Sequence, residues 1–565
     1  MDAEIGRLFD ELEKMDLLRR TWIVIVADHG EALGEHGETY HSMLIYRATQ
    51  HVPFLILPPA DWKGAGGSLA GRRVRQVARL QDIAPTLANG LGLGQDKSLG
   101  TGTSLLGLVA GQNPGPAIAY METLVPFLEY GWCELRGVTV DGWTYIKAPE
   151  PELYNLRSDP QESRNLYTKE KKLAGELAAW CEWFLGAETE LRPQQPDQET
   201  IERLRSLGYV GNAAPSGSPV NDKDPKKLMA VYQAVLLARS ALDAGDPASA
   251  RATLEGALRQ DPDNPEVTRL LGSALVRLGQ PVEAAKAYES LRRRYPNTVQ
   301  HVLDLAYCRL MAGQVPEGVT LLEEVLRMSP SERMALQLYP RALAGAGREE
   351  EARRFLRDRI AGSAEPARAT VELAQFEWER NRHRESAQAA EAALKLDPEV
   401  AGAHSVLGLW WWEQATRRAT PQGGNIDQGA MSRARQHLEA ALRQNPADPQ
   451  AGSRLAALLQ SEGKGPEASE LLVRVARGNP SNPMSQVEAA RALHVGGRTA
   501  EAIPFYEAAL RTGYAEPQFL ASFGLACAAM GNRARAAELL RRALAMNPEP
   551  GLAQTIRQNL AALGS

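Results

Sequence analysis

The sequence predicts a chain in two parts, an α/β region followed by an all-α array of helix pairs, and three observations predict it. Ile23-Val24-Ile25-Val26 is a continuous β-branched run that breaks off at Ala27-Asp28-His29-Gly30. That is the pattern of a strand buried on both faces, with polar side chains at its carboxyl end. Short alternating segments separated by turn residues follow, as far as Leu156. From about Asp224 onward, prolines recur at a fixed interval: 262, 296 and 330 are 34 apart, Pro398 lies 68 further on, and Pro446 and Pro480 are again 34 apart.

In chain order, Ile5, Leu8, Phe9, Leu12, Leu17 and Leu18 roughly follow helical spacing and predict one amphipathic helix. The strand Trp22–Ala27 comes next, then a polar, glycine-rich turn over Asp28–Gly37. Val52–Leu57 reads as a second buried strand, with Pro53 near its start where a missing N–H is tolerated. Val74–Leu91 contains a helix, Leu80–Leu87. Leu135–Val140, Trp143–Lys147 and Glu152–Leu156 read as strands, and Asp141-Gly142 between the first two is a hairpin signal. A helix over Leu173–Leu185 closes the region. Arg192–Pro196 and Gly211–Pro219 are rich in Pro, Gly, Ser and Ala, flank a short helix over Glu199–Leu207, and read as a linker. The expected organisation is therefore residues 1–190, a linker over 191–224, and repeats over 225–565.

Composition narrows the function classes. At 565 residues the chain has room for at least two full cores. A net charge of −5 gives no electrostatic footprint for nucleic acid or for a membrane surface. Cys133, Cys181, Cys308 and Cys527 are far apart and make neither a disulfide framework nor a zinc site. No apolar run reaches the roughly 18 residues of a membrane span. Met1-Asp2-Ala3-Glu4-Ile5 is acidic and helical rather than a signal peptide. Read alone, the chain is expected to stay where it is made, in the cytoplasm, and to be exported or anchored only if an N-terminal part is missing.

The repeats have internal detail. A small residue recurs twelve positions before the prolines (Ala250, Ala284, Gly318, Ala468), another at Gly272, Gly408 and Gly524, and a third at Ala257, Ala393, Ala509 and Ala543. Small residues where two helices touch, with Pro after the second, resemble the tetratricopeptide repeat. About nine units fit between Val231 and Pro550, one interrupted by an insertion over Arg417–Ala430 whose Pro421-Gln422-Gly423-Gly424 marks a loop. Gly551–Leu563 fits a capping helix. Stacked units of this kind present a concave face to a peptide or protein partner.

The chemistry clusters early, since four of the nine histidines lie between His29 and His51. Asp28 and His29 together suit a divalent metal such as Mn, Zn, Mg or Ca. His41 suits a proton donor or a cation facing an anionic group. The competing reading makes Asp28 a turn cap and His29 an ordinary loop residue.

The wider pattern from Ala27 to Gly37, then His41 and His51-Val52-Pro53-Phe54-Leu55-Ile56, resembles the second metal motif of the sulfatase family in the alkaline-phosphatase superfamily. Gln81–Leu87 and Gly102–Leu106 resemble the helix and loop that follow it. Glu152–Leu166 is similar to the family's C-terminal subdomain signature, and Leu207-Gly208-Tyr209-Val210 to a closing segment of members fused to such repeats. The resemblance spans about residues 1–212. It implies an alkaline-phosphatase-like sheet with a small C-terminal β subdomain, metal ligation by Asp28 and His29, and contact of His41 with a transferred sulfuryl or phosphoryl group. It gives Glu35 and His36 no catalytic role and makes Asp159 a turn stabiliser.

The family's nucleophile lies in a Cys/Ser-x-Pro-x-Arg motif well before the Asp-His motif, beyond a further metal-binding carboxylate pair. No such motif occurs in this chain. Two ligands on a solvent-facing loop hold a metal weakly, and no activated nucleophile is available. The reading is therefore the C-terminal part of a sulfatase-like domain, from a gene fragment, a late start codon or a degenerate copy. It is expected to be unstable or inactive alone, with a hydrophobic sheet edge exposed. Two function classes follow: a metal-dependent hydrolase or transferase of sulfate or phosphate esters, inactive as this chain, and a non-catalytic scaffold working through its repeats. Trp410-Trp411-Trp412 reads first as core packing and second as a groove lining. Arg292-Arg293-Arg294 reads as a solvated helix end, and His404 and His437 as packing residues.

Overall fold

A helix rich in acid at its start and ending in lysine opens the chain, the arrangement that complements a helix dipole. This is α1, Asp2–Lys14, with Asp2 and Glu4 in its first turn and Lys14 in its last. It stops short of Leu17 and Leu18, because Asp16 takes a left-handed φ of 54° and a 3-10 turn over Leu18–Arg20 follows. The computed structural model describes residues 2–59, 62, 71–94, 101–112, 117–188, 222–417 and 426–564. The expected linker up to residue 221, with its helix over Glu199–Leu207 and the segment Leu207–Val210, lies outside the described residues. So does the loop Pro421–Gly424.

The chain divides into two compact units, Met1–Ala312 and Gly313–Ser565. In the first, β1 (Ile23–Val26) and β2 (Phe54–Leu57) pair with each other, antiparallel, with Ile23 opposite Leu57 and Val26 opposite Phe54. The expectation of two strands buried on both faces is corrected here. No residue of either strand is buried, and Val26, Leu55 and Leu57 are 37%, 56% and 45% exposed. The two strands form a sheet of their own, so side chains that would pack between layers face outward. Short helices α2 (Arg47–Gln50), α3 (Ile83–Gly90) and α4 (Leu106–Val109) accompany this ribbon. The buried Asp82, before α3, accepts bonds from the Arg79 guanidinium and from the backbone N–H of Thr103, which docks the following loop onto the helix.

The second sheet, whose first two strands flank α5 (Val125–Tyr130), is an antiparallel meander in the order β3 (Ile118–Thr123), β4 (Leu135–Val140), β5 (Trp143–Lys147) and β6 (Glu152–Asn155). The hairpin expected at Asp141-Gly142 forms, and both residues take positive φ (46° and 80°), as a tight two-residue turn with matching twist requires. β3 was not expected, since Ile118–Thr123 lacks a β-branched run, although Asn113-Pro114-Gly115-Pro116 before it is a turn signal. Alternation along the strands divides the side chains between two cores. Val138, Tyr145 and Leu153 pack under α6 (Lys171–Glu188), against Ala174, Leu177 and Cys181. Leu135, Ile146 and Tyr154 face the other way and share a core with Met43–Tyr46, Tyr130 and Trp132.

That second core is completed by the first repeat helices: α7 (Met229–Asp243), α8 (Pro247–Gln260) and α9 (Pro265–Arg277), followed by α10 (Pro281–Arg294) and α11 (Val299–Met311). Met229, Val231, Tyr232, Val235, Leu254 and Val267 all join it. Proline opens α8, α9 and α10 where a helix tolerates it, and Asp246 and Asn264 cap the starts by accepting Ser249 and Val267 backbone N–H groups. The recurrent glycine has a steric cause. A Cβ on Gly272 would come within 2.6 Å of the Tyr288 ring.

The second unit repeats the same plan from Val315–Met328 to Pro550–Ala562. Its glycines obey the same contact: a Cβ on Gly408 would lie 2.7 Å from Leu438 Cδ2, and one on Gly524 would lie 3.0 Å from Leu540 Cγ. Trp410 and Trp411 pack against one core cluster and Trp412 against the next, with the Arg433 guanidinium 4.5 Å from the Trp411 ring centre. His404 and His437 meet across two helices, Nδ1 to Nδ1 at 2.8 Å. Among the described residues no helix is long and apolar enough to cross a membrane.

Candidate metal centre

The loop after β1 is held by backbone bonds at close intervals. Gly30 N donates to Thr49 O (2.8 Å), Ala32 N to Tyr40 O (2.8 Å) and Gly34 N to Glu38 O (2.8 Å). Gly30 admits no side chain, because a Cβ there would sit 2.2 Å from the carbonyl oxygen of Ala48. Gly34 and Gly37 supply positive φ (116° and 82°) where the loop turns back. Glu38, 1% exposed, closes the return by accepting the N–H groups of Met43 (2.7 Å) and Leu44 (3.2 Å). Burial pushes its carboxyl up to about 7, against the pull of those two bonds. The returning chain carries His41 back over His29.

The two imidazoles lie face to face, centres 3.9 Å apart and planes 32° from parallel. His29 Nδ1 is 2.8 Å from Gly30 O, and a carbonyl oxygen only accepts, so this nitrogen carries the proton and Nε2 keeps the lone pair. His41 Nδ1 lies 3.1 Å from Glu31 Oε2, with the same consequence when the carboxylate is ionised. His29, Glu31 and His41 each offer a ligand atom, and these atoms all lie within 4.8 Å of one another. Two neutral imidazoles and a carboxylate form a donor set for a borderline divalent ion such as Zn or Mn, and the cluster fits a metal on those grounds.

Of the residues singled out in the sequence, the structure thus brings His29 and His41 together. Asp28 stands beside them: its side chain is 82% exposed, Oδ1 accepts the His29 N–H (3.0 Å), and Oδ2 is 3.8 Å from His29 Nε2. Glu31 is the residue that sequence reasoning passed over. It is the first carboxylate after Asp-His-Gly, on a loop whose glycines oblige it to return. Glu35 is occupied locally, its carboxyl held below the usual range chiefly by the Leu33 N–H. His36 leaves the cluster, stacks on Tyr46 at 3.6 Å and meets Gln161 O at 3.2 Å. Asp159 accepts bonds from Ser163 and Arg164 and so stabilises its turn.

Comparison with known proteins shows what this loop is similar to. Residues 1–93 match the model of the Sulfatase family, whose members generally use a divalent metal ion. Tetratricopeptide repeat models match residues 235–299, 371–449 and 425–493. Mouse arylsulfatase K is 31% identical over 179 residues, which are 30% of this chain and 31% of the mouse protein. The human protein of the same name is 32% identical over 180 residues, 30% of this chain and 32% of its own. The match thus spans about a third of the length of these relatives. Among solved structures, YrrB, described as a TPR protein with an unusual peptide-binding site, covers 36% of this chain and 97% of its own at 19% identity, with a TM-score of 0.28.

Proposed function

We propose that this chain, which joins a sulfatase-family segment to tetratricopeptide repeats, descends from a metal-dependent hydrolase or transferase of sulfate or phosphate esters and does not turn over such esters by itself. The observation that carries this reading is the His29–Glu31–His41 cluster on the family's own motif loop, in a chain with no Cys/Ser-x-Pro-x-Arg sequence. His29, Glu31 and His41 would hold the divalent ion, with Asp28 at the margin. When bound, such an ion supplies positive charge that polarises an ester oxygen. Glu31 fixes the His41 tautomer through Nδ1, so the opposite nitrogen is the one turned to chemistry. While it holds the ion His41 is neutral; only with its ring off the ion would a protonated His41 stabilise negative charge on a sulfuryl or phosphoryl group. Nothing in the loop supplies a nucleophile with a neighbouring base.

The test is hydrolysis of 4-nitrocatechol sulfate and 4-nitrophenyl phosphate by the full chain, with Ca, Mg, Mn or Zn added in turn. No release above the protein-free blank is expected. Metal-stimulated release that disappears in His41→Ala would overturn the inactive reading and leave the enzymatic one.

A second reading has its own support in the repeat matches and the helix pairs of both units. Residues 225–565 act as a non-catalytic scaffold for a peptide or protein partner, and residues 1–190 are a vestigial piece carried with them. Capture of one saturating partner by the full chain, undiminished in His29→Ala and His41→Ala, would favour it.

A further inference from the structure

His41 reaches the histidine cluster on a stretch of chain that the first repeat helix grips on both sides. Before it, Gln233 Nε2 of α7 donates to Gly37 O (2.9 Å) and to Thr39 Oγ1 (2.8 Å). Met229 of the same helix packs against Gly37, where an added Cβ would come within 3.3 Å of Met229 Cβ. After it, Met43, Leu44, Ile45 and Tyr46 are buried in one core with Met229, Val231, Tyr232 and Val235. Thr39 and Met43 each stand two positions from His41.

The loop needs this outside hold. The bond from Ala32 N to Tyr40 O keeps its two arms side by side, but the turn after His41 is unfavourable by itself. Ser42 takes a φ of 93°. Residues with a Cβ rarely adopt such a value, and it persists only where the surroundings fix it. Thr123 Oγ1 fixes one end by donating to Ser42 O, and Gln233 fixes the segment before it. A ligand set placed before the ion arrives binds more tightly than one the ion must order.

We propose, taking the loop as the metal centre described above, that the first repeat helix is a positioning element for that centre. Gln233 holds the return of the loop so that His41 stands beside His29 and Glu31, and metal affinity rises and falls with the docking of α7. Coupling of this kind is reciprocal, so an ion held at His29, Glu31 and His41 also tightens α7 on the loop.

The test is zinc titration of the full chain against a competing chelator dye, paired with hydrogen exchange read by mass spectrometry. In the parent, zinc should slow exchange over α7 more than over α10 of the same unit. Gln233→Ala should weaken zinc binding about fivefold or more and abolish the difference between the two helices. Thr39→Val keeps the shape and leaves Gln233 one of its two acceptors, so it should weaken binding less. Leu237→Ala alters an exposed side chain four positions along the same helix and should change neither readout. That control separates loss of the grip from a general weakening of α7. No zinc uptake by the parent, or uptake that His29→Ala does not reduce, overturns the metal reading and the coupling with it. With uptake that does depend on His29, the coupling alone is overturned by equal affinity in Gln233→Ala and Thr39→Val, by equal slowing of α7 and α10, or by Leu237→Ala weakening zinc as much as Gln233→Ala.

Discussion

Gly30 shows how one absent side chain sets the candidate site. Its backbone passes so close to Ala48 that a Cβ would overlap the carbonyl oxygen, so Gly30→Ala must move either the motif loop or α2. Overpacking of this kind costs about 1–3 kcal/mol. Urea denaturation of the full chain should show its earliest transition at lower urea in the variant; an unchanged curve would mean that the loop yields freely. His437 offers a pH test of the same grain. Burial, then the neighbouring His404, lowers its pKa to about 4. A histidine held neutral in the folded state costs stability wherever the unfolded chain would protonate it. Its contribution is intact above pH ~6.5 and is lost as pH falls toward about 4. His437→Asn should reduce the drop in melting temperature between pH 7 and pH 5, as read by circular dichroism, and a drop as large as that of the parent would contradict the assignment. Glu31 marks the boundary of what single residues disclose. Asp28, His29 and His41 stand out in the sequence by type and clustering, whereas Glu31 joins the cluster only when the return of the loop places His41 beside it.

Elements were legible where local chemistry decides them. The Asp141-Gly142 hairpin, the helix beneath the meander and the proline-opened repeat helices all follow from turn residues, capping and periodicity. The burial of β1 and β2 was not legible, because a β-branched run states that a strand forms and leaves its neighbours undetermined. The join between the two kinds of structure was also hidden. Trp132, fully buried on the sheet side, donates its indole N–H to Asp261 Oδ2 at 2.6 Å, and Asp261 also pairs with Lys223 and accepts from Asn264 at 2.8 Å. Asp261 thus ties the end of α8 to the meander. Residues 1–190 expressed alone would expose the half of this core that Met229, Tyr232, Val235 and Leu254 cover. That fragment should be rapidly degraded in limited proteolysis, whereas residues 1–312 should resist. Equal resistance of the two would show that the first repeat is dispensable. Within the repeats, Gly408→Ala should cost about 1–3 kcal/mol by pressing on Leu438.

At the scale of the whole molecule, a segment similar to the Sulfatase family is followed by repeat helices, the first of which complete its core. The 34-residue period and the Asp-His-Gly motif made both components readable, because each is a short pattern tied to one physical task. The cleft lined by His36, Tyr46, Glu162 and Asp224 was not readable, since its walls come from stretches far apart in the sequence. The central claim is that His29, Glu31 and His41 still form a place for a divalent ion. The most direct measurement is a zinc titration of the full chain followed by the imidazole nitrogen resonances of its histidines. The account predicts that His29 and His41 shift together, at weak affinity, and that Glu31→Gln weakens both shifts while the other histidines stay still. Zinc responses confined to other histidines, or a joint shift unaffected by Glu31→Gln, would contradict it.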